Sequence, residues 1–315
     1  MVIQIGVVMD PLTAINVKKD STLAMLEEAQ RRQWPAFYMQ QQDLFIENGV
    51  SMASMRELTI DLHQHPWFSL QEPVVKPLAD LKVILMRKDP PFDMEYIYTT
   101  YLLDLAEAAG SLVINKPQSL RDANEKIFTS LFPQCCPPSL VSRDLKQLRA
   151  FVEKQNDVII KPLGGMGGYR IFRTSPNDSN LSVILETMTD YGHQFCMAQR
   201  FIPEITHGDK RVLLIDGEPV PYALARIPKT GEIRGNLAAG ARAEVVALGE
   251  RERWICAQVG PTLRAKGLMF VGLDIIGDYL TEINVTSPTC IREIEAATEI
   301  NISEILFDKI HEKLK

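Results

Sequence analysis

The chain has 315 residues, a length that suits two or three domains. Hydrophobic residues make up 46% and charged residues 23%, with Gly and Pro dispersed, a composition that excludes large-scale disorder and allows a full core. The 34 Lys plus Arg against 40 Asp plus Glu leave a net charge of −6, so nucleic acid is excluded as a general partner and any anionic ligand must be held by a few local cations.

In chain order, Val2 to Met9 is a short apolar run closed by Asp10-Pro11, which predicts a buried parallel strand. No basic leader precedes it, and no apolar run approaches the ~18 residues that span a bilayer, so the expectation is a soluble, cytoplasmic protein with no membrane partner. Asp20 and Ser21 offer an N-cap to a helix whose Leu23, Leu26 and Ala29 share a face. His63-Gln64-His65, followed by Pro66-Trp67 and without a third ligand nearby, reads as a surface loop and not as a metal site. A second β-α unit runs from Val83-Ile84-Leu85-Met86 through Asp93 to a helix ending at Gly110, and Leu112 to Asn115 supplies another strand. This alternation predicts an α/β class with an N-terminal doubly wound parallel sheet. The first strand lacks a following Gly-x-Gly-x-x-Gly, which removes the main support for nicotinamide dinucleotide binding. Ligands are still expected at the carboxyl ends of the strands, where Asp10 and Arg87-Lys88-Asp89 sit.

From about Ser119 the pattern changes. Helical stretches over Asn124 to Phe132 and Asp144 to Lys154 lead into a strand, Asn156 to Pro162, that carries Lys161 near its end. Gly164, Gly165, Met166, Gly167 and Gly168 follow, and then a strand from Tyr169 to Arg173. A glycine turn between strands lets backbone N–H groups approach phosphates, although a plain hairpin tip has the same composition. It is not a Walker A loop, since no Gly-Lys-Ser/Thr closes it. Five cysteines, Cys135, Cys136, Cys196, Cys256 and Cys290, show no C-x-x-C pair and read as reduced thiols. Residues Ile227 to Glu244 lack a hydrophobic period and read as a long loop acting as a lid.

Phe270 to Val285 reads as two short strands joined at Gly277-Asp278, with Asp274 and Glu282 among apolar neighbours and Asn284 on the face of Glu282. Carboxylates inside apolar strands need a cation, and these oxygen ligands suit magnesium; a salt-bridged pair at a sheet edge is the alternative. A strict two-residue loop pairs Asp274 with Thr281 and turns Glu282 away. The metal reading therefore requires a longer loop or a bulge that sets Asp274 opposite Glu282.

The order Lys126, Lys161, the glycine turn, Met197 to Ile202, Asp274 and Glu282-x-Asn284 resembles the ATP-grasp fold. The strings 86–93, 115–121, 234–237 and 284–289 resemble, more narrowly, the bacterial glutathione synthetases, over nearly the whole chain. Two positions depart from that family's pattern: Gly164 stands where Asp is usual, and Ala239, Ala241 and Ala243 stand where glycines are usual, which should restrict a mobile lid.

The resemblance implies an N-terminal substrate domain over 1–122, a central ATP-grasp lid domain over 123–201 and a C-terminal metal domain over 202–315, the last two α+β. It implies ligation of γ-glutamylcysteine to glycine through an acyl phosphate, with ATP as co-substrate, Mg²⁺ or Mn²⁺ as the metal, and a homotetramer. Lys126, Lys161 and residues 164–168 would hold phosphates, Gln199, Arg200, Phe201 and Ile202 the adenine, and Asp209 the ribose. Asp274, Glu282 and Asn284 would ligate the metal, and Arg211, Arg226 and Arg234 would neutralise the transferring phosphoryl group. Arg87, Ser287 and Arg292 would contact the dipeptide. Another ATP-grasp carboxylate-amine ligase, or a nucleotide-binding regulatory protein without turnover, remains open from the residues alone.

Overall fold

The computed structural model describes residues 2–165, 167–229, 231–232, 235 and 240–315. Three sheets organise it. The first contains β1 (Ile5–Val8), β2 (Ala36–Met39), β3 (Leu44–Glu47), β4 (Val50–Ile60), β5 (Phe68–Leu70), β6 (Val74–Pro77), β7 (Val83–Met86) and β8 (Leu112–Ile114). Its spine runs β3-β4-β2-β1-β7-β8, with β2, β1, β7 and β8 parallel and β3 to β6 joined antiparallel through β4. The sheet is thus doubly wound at its centre and mixed at one edge, where sequence alone suggests a purely parallel arrangement.

Two helices, α1 (Ser21–Arg31) and α2 (Met94–Ala108), cover opposite faces of this sheet, because the side-chain period of 2 divides each strand between them. Ile5, Val7, Val83 and Leu85 pack with Leu23 and Leu26 of α1; Val8, Ile84 and Met86 pack with Tyr96 and Leu103 of α2. Asp20 caps α1 by accepting from Leu23 N (2.6 Å), and Asp93 caps α2 by accepting from Tyr96 N (2.9 Å). A short helix, α3 (Pro117–Asp122), leads out of the sheet.

The second sheet, ordered β11-β10-β12-β9, comprises β9 (Ser139–Ser142), β10 (Val158–Pro162), β11 (Phe172–Thr174) and β12 (Cys196–Arg200), all antiparallel. With α4 (Leu145–Gln155) and α5 (Leu181–Thr189) it encloses its own apolar cluster, including Leu148, Val152, Ile160 and Leu185. The helix expected over Asn124 to Phe132 is only a 3-10 turn, Ile127–Leu131, and the strand expected from Tyr169 begins at Phe172.

The third sheet, ordered β15-β14-β13-β16-β17, comprises β13 (Asp209–Ile215), β14 (Glu218–Ile227), β15 (Arg242–Ala247), β16 (Phe270–Ile276) and β17 (Tyr279–Asn284). It packs on α6 (Glu250–Ala265), while α7 (Ile291–Ala297) and α8 (Ile302–Lys313) close the chain. Both large apolar clusters run unbroken from the first sheet into the third: Val212 and Leu273 join Met86 and Leu103, and Leu213, Ile291 and Phe307 join Ile5 and Leu26. Arg32 adds bonds from α1 to the Glu304 carbonyl (3.1 Å) and Asp308 (2.7 Å) of α8. The strands β14 and β15 take in Ile227 and Arg242 to Glu244, which the sequence reading places in a loop. His63 and His65 lie in an exposed loop, all five cysteines are free, and no helix among the described residues is long and apolar enough to cross a membrane.

Candidate functional site

The register of β16 against β17 decides the site. Ile276 pairs with Tyr279 and Ile275 with Leu280, which leaves a two-residue turn at Gly277-Asp278. A bulge at Thr281 then shifts the ladder by one, so Asp274 stands directly opposite Glu282 and Gly272 opposite Asn284. Both carboxylates therefore project from one face. Thr281 Oγ1 donates to Asp274 O (3.0 Å) and so ties the bulge down.

The second sheet meets this face. Lys161, near the end of β10, is 4% exposed, donates to Thr281 O (3.3 Å) and lies 3.6 Å from Glu282 Oε1. Lys126 is 3% exposed, lies 3.7 Å from the same oxygen, donates to Gly165 O (3.3 Å) and pairs with Glu125. Burial lowers the Lys161 proton affinity despite Glu282. Burial also opposes the charge on Lys126, but Glu282 and Glu125 outweigh it and the group ends raised. Next to these ammonium groups Gly165, Gly167 and Gly168 adopt φ of +104°, +68° and +81°, conformations that exclude ordinary side chains and turn the backbone toward the cavity.

Behind Glu282 lies a second charge cluster. Arg211 grips Asp274 with two bonds, Nε to Oδ1 (2.5 Å) and Nη2 to Oδ2 (3.1 Å), and Arg226 Nη2 lies 3.0 Å from Asp274 Oδ2 and 2.5 Å from Asp209 Oδ2. Gly272 makes room for this, since a Cβ there would fall 2.8 Å from Arg211 Cδ. Burial would raise Asp274, but Arg211 and Arg226 hold it well below the usual carboxylate range. Asp209, by contrast, is pushed up to about 7 by burial, with Asp274 adding to the rise and Arg226 opposing it.

One cavity is lined by Lys126, Lys161, Gly165, Gly167, Gly168, Gln199, Arg200, Phe201, Ile202, Asp209, Asp274 and Glu282. A second, which shares Gly167, Asp274 and Glu282 with it as lining residues, is also lined by Asp89, Glu125, Arg211, Arg226, Asn284, Ser287 and Thr289. Gly164 borders a neighbouring cavity with Asn124 and Tyr169. In the first cavity Gln199 Nε2 and Asp209 Oδ1 are buried without a hydrogen-bond partner, two polar atoms facing a space that a polar ligand can satisfy.

Two residues expected here are built into other contacts. The Arg87 guanidinium donates to Thr22 Oγ1 (3.0 Å) and Pro288 O (2.9 Å), and its carbonyl accepts from Ser287 Oγ (3.3 Å), so it braces the loop carrying Ser287 from behind. Arg292 is not brought to the site: it donates to Asp20 O (3.0 Å) and Glu27 Oε2 (2.5 Å), fastening α7 to α1. Met166 and Arg234 lie outside the described residues. Sequence reasoning left Glu125 and Thr289 out of the site and placed Asp89 only at a strand end where ligands gather, without a role, although Asp89 and Thr289 stand inside strings that carry the family resemblance and Glu125 adjoins Lys126.

The donor set suits a hard divalent cation. Asn284 Nδ2 donates to Gly272 O (3.3 Å), which leaves its Oδ1 for a ligand beside Glu282, while both oxygens of Asp274 are engaged by arginines. No group of three His, Cys, Asp or Glu side chains forms a metal cage among the described residues. A cation here would need phosphate oxygens or water to complete its shell.

Solved structures share the fold: D-cycloserine synthetase DcsG, at TM-score 0.69 and 13% identity over 99% of this chain and 100% of that one, and the ATP-grasp ligase PsnB in complex with Mg and ADP, at TM-score 0.62 and 19% identity over 99% of each. Much nearer in sequence are the glutathione synthetases of Pseudomonas putida, 62% identical over 100% of this chain and 99% of that one, and of Escherichia coli K12, 58% identical over 99% of each. Residues 3–121 match the N-terminal domain of prokaryotic glutathione synthetase and residues 125–299 its ATP-grasp domain, and on these matches the chain belongs to the prokaryotic glutathione synthetase family.

Proposed function

We propose that the chain joins γ-glutamylcysteine to glycine with ATP, releasing ADP and phosphate through an acyl phosphate. The observation that carries this reading is a pair of adjoining cavities sharing Asp274 and Glu282, in which two buried lysines and a glycine turn face the carboxylates of β16 and β17, with Arg211 and Arg226 next to them. Phosphoryl transfer needs positioning and charge neutralisation more than a protein nucleophile, and the cavity supplies both.

Gln199, the backbone of residues 200–202 and Asp209 take the nucleoside; the unbonded Gln199 Nε2 and Asp209 Oδ1 support this. Lys126, Lys161 and the turn 164–168 hold the phosphates. Mg²⁺, or Mn²⁺ by the same oxygen chemistry, would be held by Glu282 and Asn284, with Asp274 joining them when Arg211 and Arg226 turn to the transferring group, and would supply electrostatic stabilisation of the phosphate oxygens. Arg211, Arg226 and Arg234 neutralise the transferring phosphoryl and acyl oxygens, and Asp274 anchors the first two until that charge arrives. Ser287 lines the acyl-donor end, and Arg87 steadies its loop. The segment between β14 and β15 acts as a lid that keeps the acyl phosphate from water, a reading supported by Gly235, which lies so close to Asp209 that a Cβ would fall 2.8 Å from its Cβ.

Residues 1–122, 123–201 and 202–315 serve as substrate, lid and metal domains in a cytoplasmic enzyme. Self-association as a homotetramer is supported by an apolar stripe on α2, where Met94, Tyr98, Tyr101 and Leu105 recur at helical spacing and are 54%, 49%, 50% and 39% exposed. An ADP-release assay with γ-glutamylcysteine and glycine, run beside other acids and acceptors, tests the reading. Turnover only with a different acid would sink it.

A further inference from the structure

The ladder of the second sheet sets one row of side chains beside the nucleoside end of the first cavity. Ile159 of β10 stands opposite Arg173 of β11 on one side and Gln199 of β12 on the other. Directly paired residues share a face, so these three project the same way. The ladder runs one step further, because Phe201 N donates to Asp157 O (2.9 Å), which brings Asp157 and Phe201 to the same face by the two-residue period. Ile159, Ile171, Gln199 and Phe201 line the cavity, whereas Arg173 does not. It closes on Phe201 instead: the guanidinium carbon lies 3.7 Å from the centre of the phenyl ring. Its Nε and Nη2 donate to Asp157 Oδ1 (2.8 Å) and Oδ2 (2.6 Å), a fork that leaves the guanidinium plane one orientation. This arrangement contributes little to folding, since the side chains of Arg173 and Asp157 are 46% and 38% exposed and an ion pair so open to water is weak. What it does fix is a ring just past β12, where the chain leaves the sheet.

We propose that Arg173 is a positioning residue for the nucleobase: forked to Asp157 and stacked on Phe201, it immobilises the phenyl ring as a wall for the purine of ATP. This rests on the placing of the nucleoside beside Gln199 and residues 200–202 in the ligase reading above. A purine gains from stacking on any aromatic face, and it gains more when the ring is already held, because no rotamer has then to be frozen on binding. The cation holds the ring by attraction to its negative face, and the carboxylate holds the cation. Arg173 touches no ligand. Its influence passes through Phe201 alone, so it acts on the affinity for the base and not on the transfer of the phosphoryl group.

The test is a double-mutant cycle on the full chain with Arg173→Met, Phe201→Leu and both together, read by calorimetric titration with ADP, by thermal melting, and by kcat and KM for ATP and γ-glutamylcysteine. Arg173→Met is expected to weaken ADP and raise the KM for ATP about 3- to 10-fold, with the KM for γ-glutamylcysteine, kcat at saturating ATP and the melting temperature at their wild-type values. Phe201→Leu is expected to weaken ADP at least as much, and adding Arg173→Met to it should cost less than about twofold more, because the ring through which Arg173 acts is gone. Wild-type ADP affinity in Arg173→Met beside a weakened Phe201→Leu overturns the proposal. So do additive losses in the double variant. A lowered melting temperature with kcat reduced and the KM for ATP unmoved is the outcome of a merely structural Arg173, and it also overturns the proposal. Unchanged ADP affinity in Phe201→Leu is a different result, and it removes the placing of the nucleoside itself.

Discussion

Replacing Glu282 by Gln removes the negative charge shared by two buried ammonium groups. Glu282 Oε1 lies 3.7 Å from Lys126 Nζ and 3.6 Å from Lys161 Nζ; the lysine side chains are 4% and 5% exposed and that of Glu282 is 22%. At an effective dielectric constant of about 20, each contact has a gross attraction of about 4 kcal/mol. Most of that offsets desolvation of the lysines, so the net effect is that of a buried pair losing one partner, about 3 kcal/mol. Lys126 retains Glu125, whereas Lys161 is left with the Thr281 carbonyl, so the penalty falls mainly on Lys161. Urea unfolding without nucleotide should show this loss. A saturating ATP analogue should narrow the gap, because phosphate oxygens replace Glu282 as the counter-charge. Turnover should fall by about two to three orders of magnitude, with a raised requirement for magnesium. Normal turnover, or an identical stability gap with and without nucleotide, would refute the reasoning.

Lys161→Met deletes a buried cation that desolvation already disfavours. Nucleotide-free melting should stay level or rise while the KM for ATP increases about 10- to 100-fold, and a drop in melting temperature would count against it. Asp274 titrates below its ordinary value of 3.8 because of Arg211 and Arg226, so its stabilisation is complete above about pH 4 and lost as pH falls further. The stability difference between wild type and Asp274→Asn should therefore shrink on acidification from pH 5, followed by circular dichroism; a constant difference would contradict the pairing. Tyr98→Glu combined with Tyr101→Glu places two charges on the exposed stripe of α2 and should reduce the mass seen by light scattering without changing far-ultraviolet dichroism. An unchanged mass would exclude that face as the interface.

The carboxylate hairpin of β16 and β17 was legible because desolvated carboxylates in apolar strands demand an explanation, and the demand for a bulge followed from the two-residue period together with the proposed cation. The central β-α units were legible for a similar reason: Val83 to Met86 is apolar throughout, as a strand covered on both faces must be. The antiparallel edge was not. In β4 the buried positions run Ser51, Ala53, Met55 and then Leu58, Ile60, with Val50 exposed and Arg56-Glu57 both outside, so hydrophobicity does not follow burial and its phase changes midway. Glu125 is not legible in the sequence, and Asp89 only as a residue at the carboxyl end of a strand, because side-chain pairing between sheets has no local signature in the sequence. Arg292 is the converse case, since a cation beside a ligand loop is equally able to fasten two helices, as it does here.

The apolar clusters shared by the first and third sheets have a mechanical meaning. Shear between those sheets would tear side chains such as Leu103 and Leu273, or Leu26 and Phe307, out of common packing, whereas the second sheet keeps a separate cluster of its own. The first and third sheets thus form one packed block, while the second sheet, within residues 139–200, is built about an interior of its own. The boundary between the matched segments 3–121 and 125–299 therefore does not follow the packing, since the second segment holds both the third sheet, which shares its interior with the first, and the second sheet, which does not.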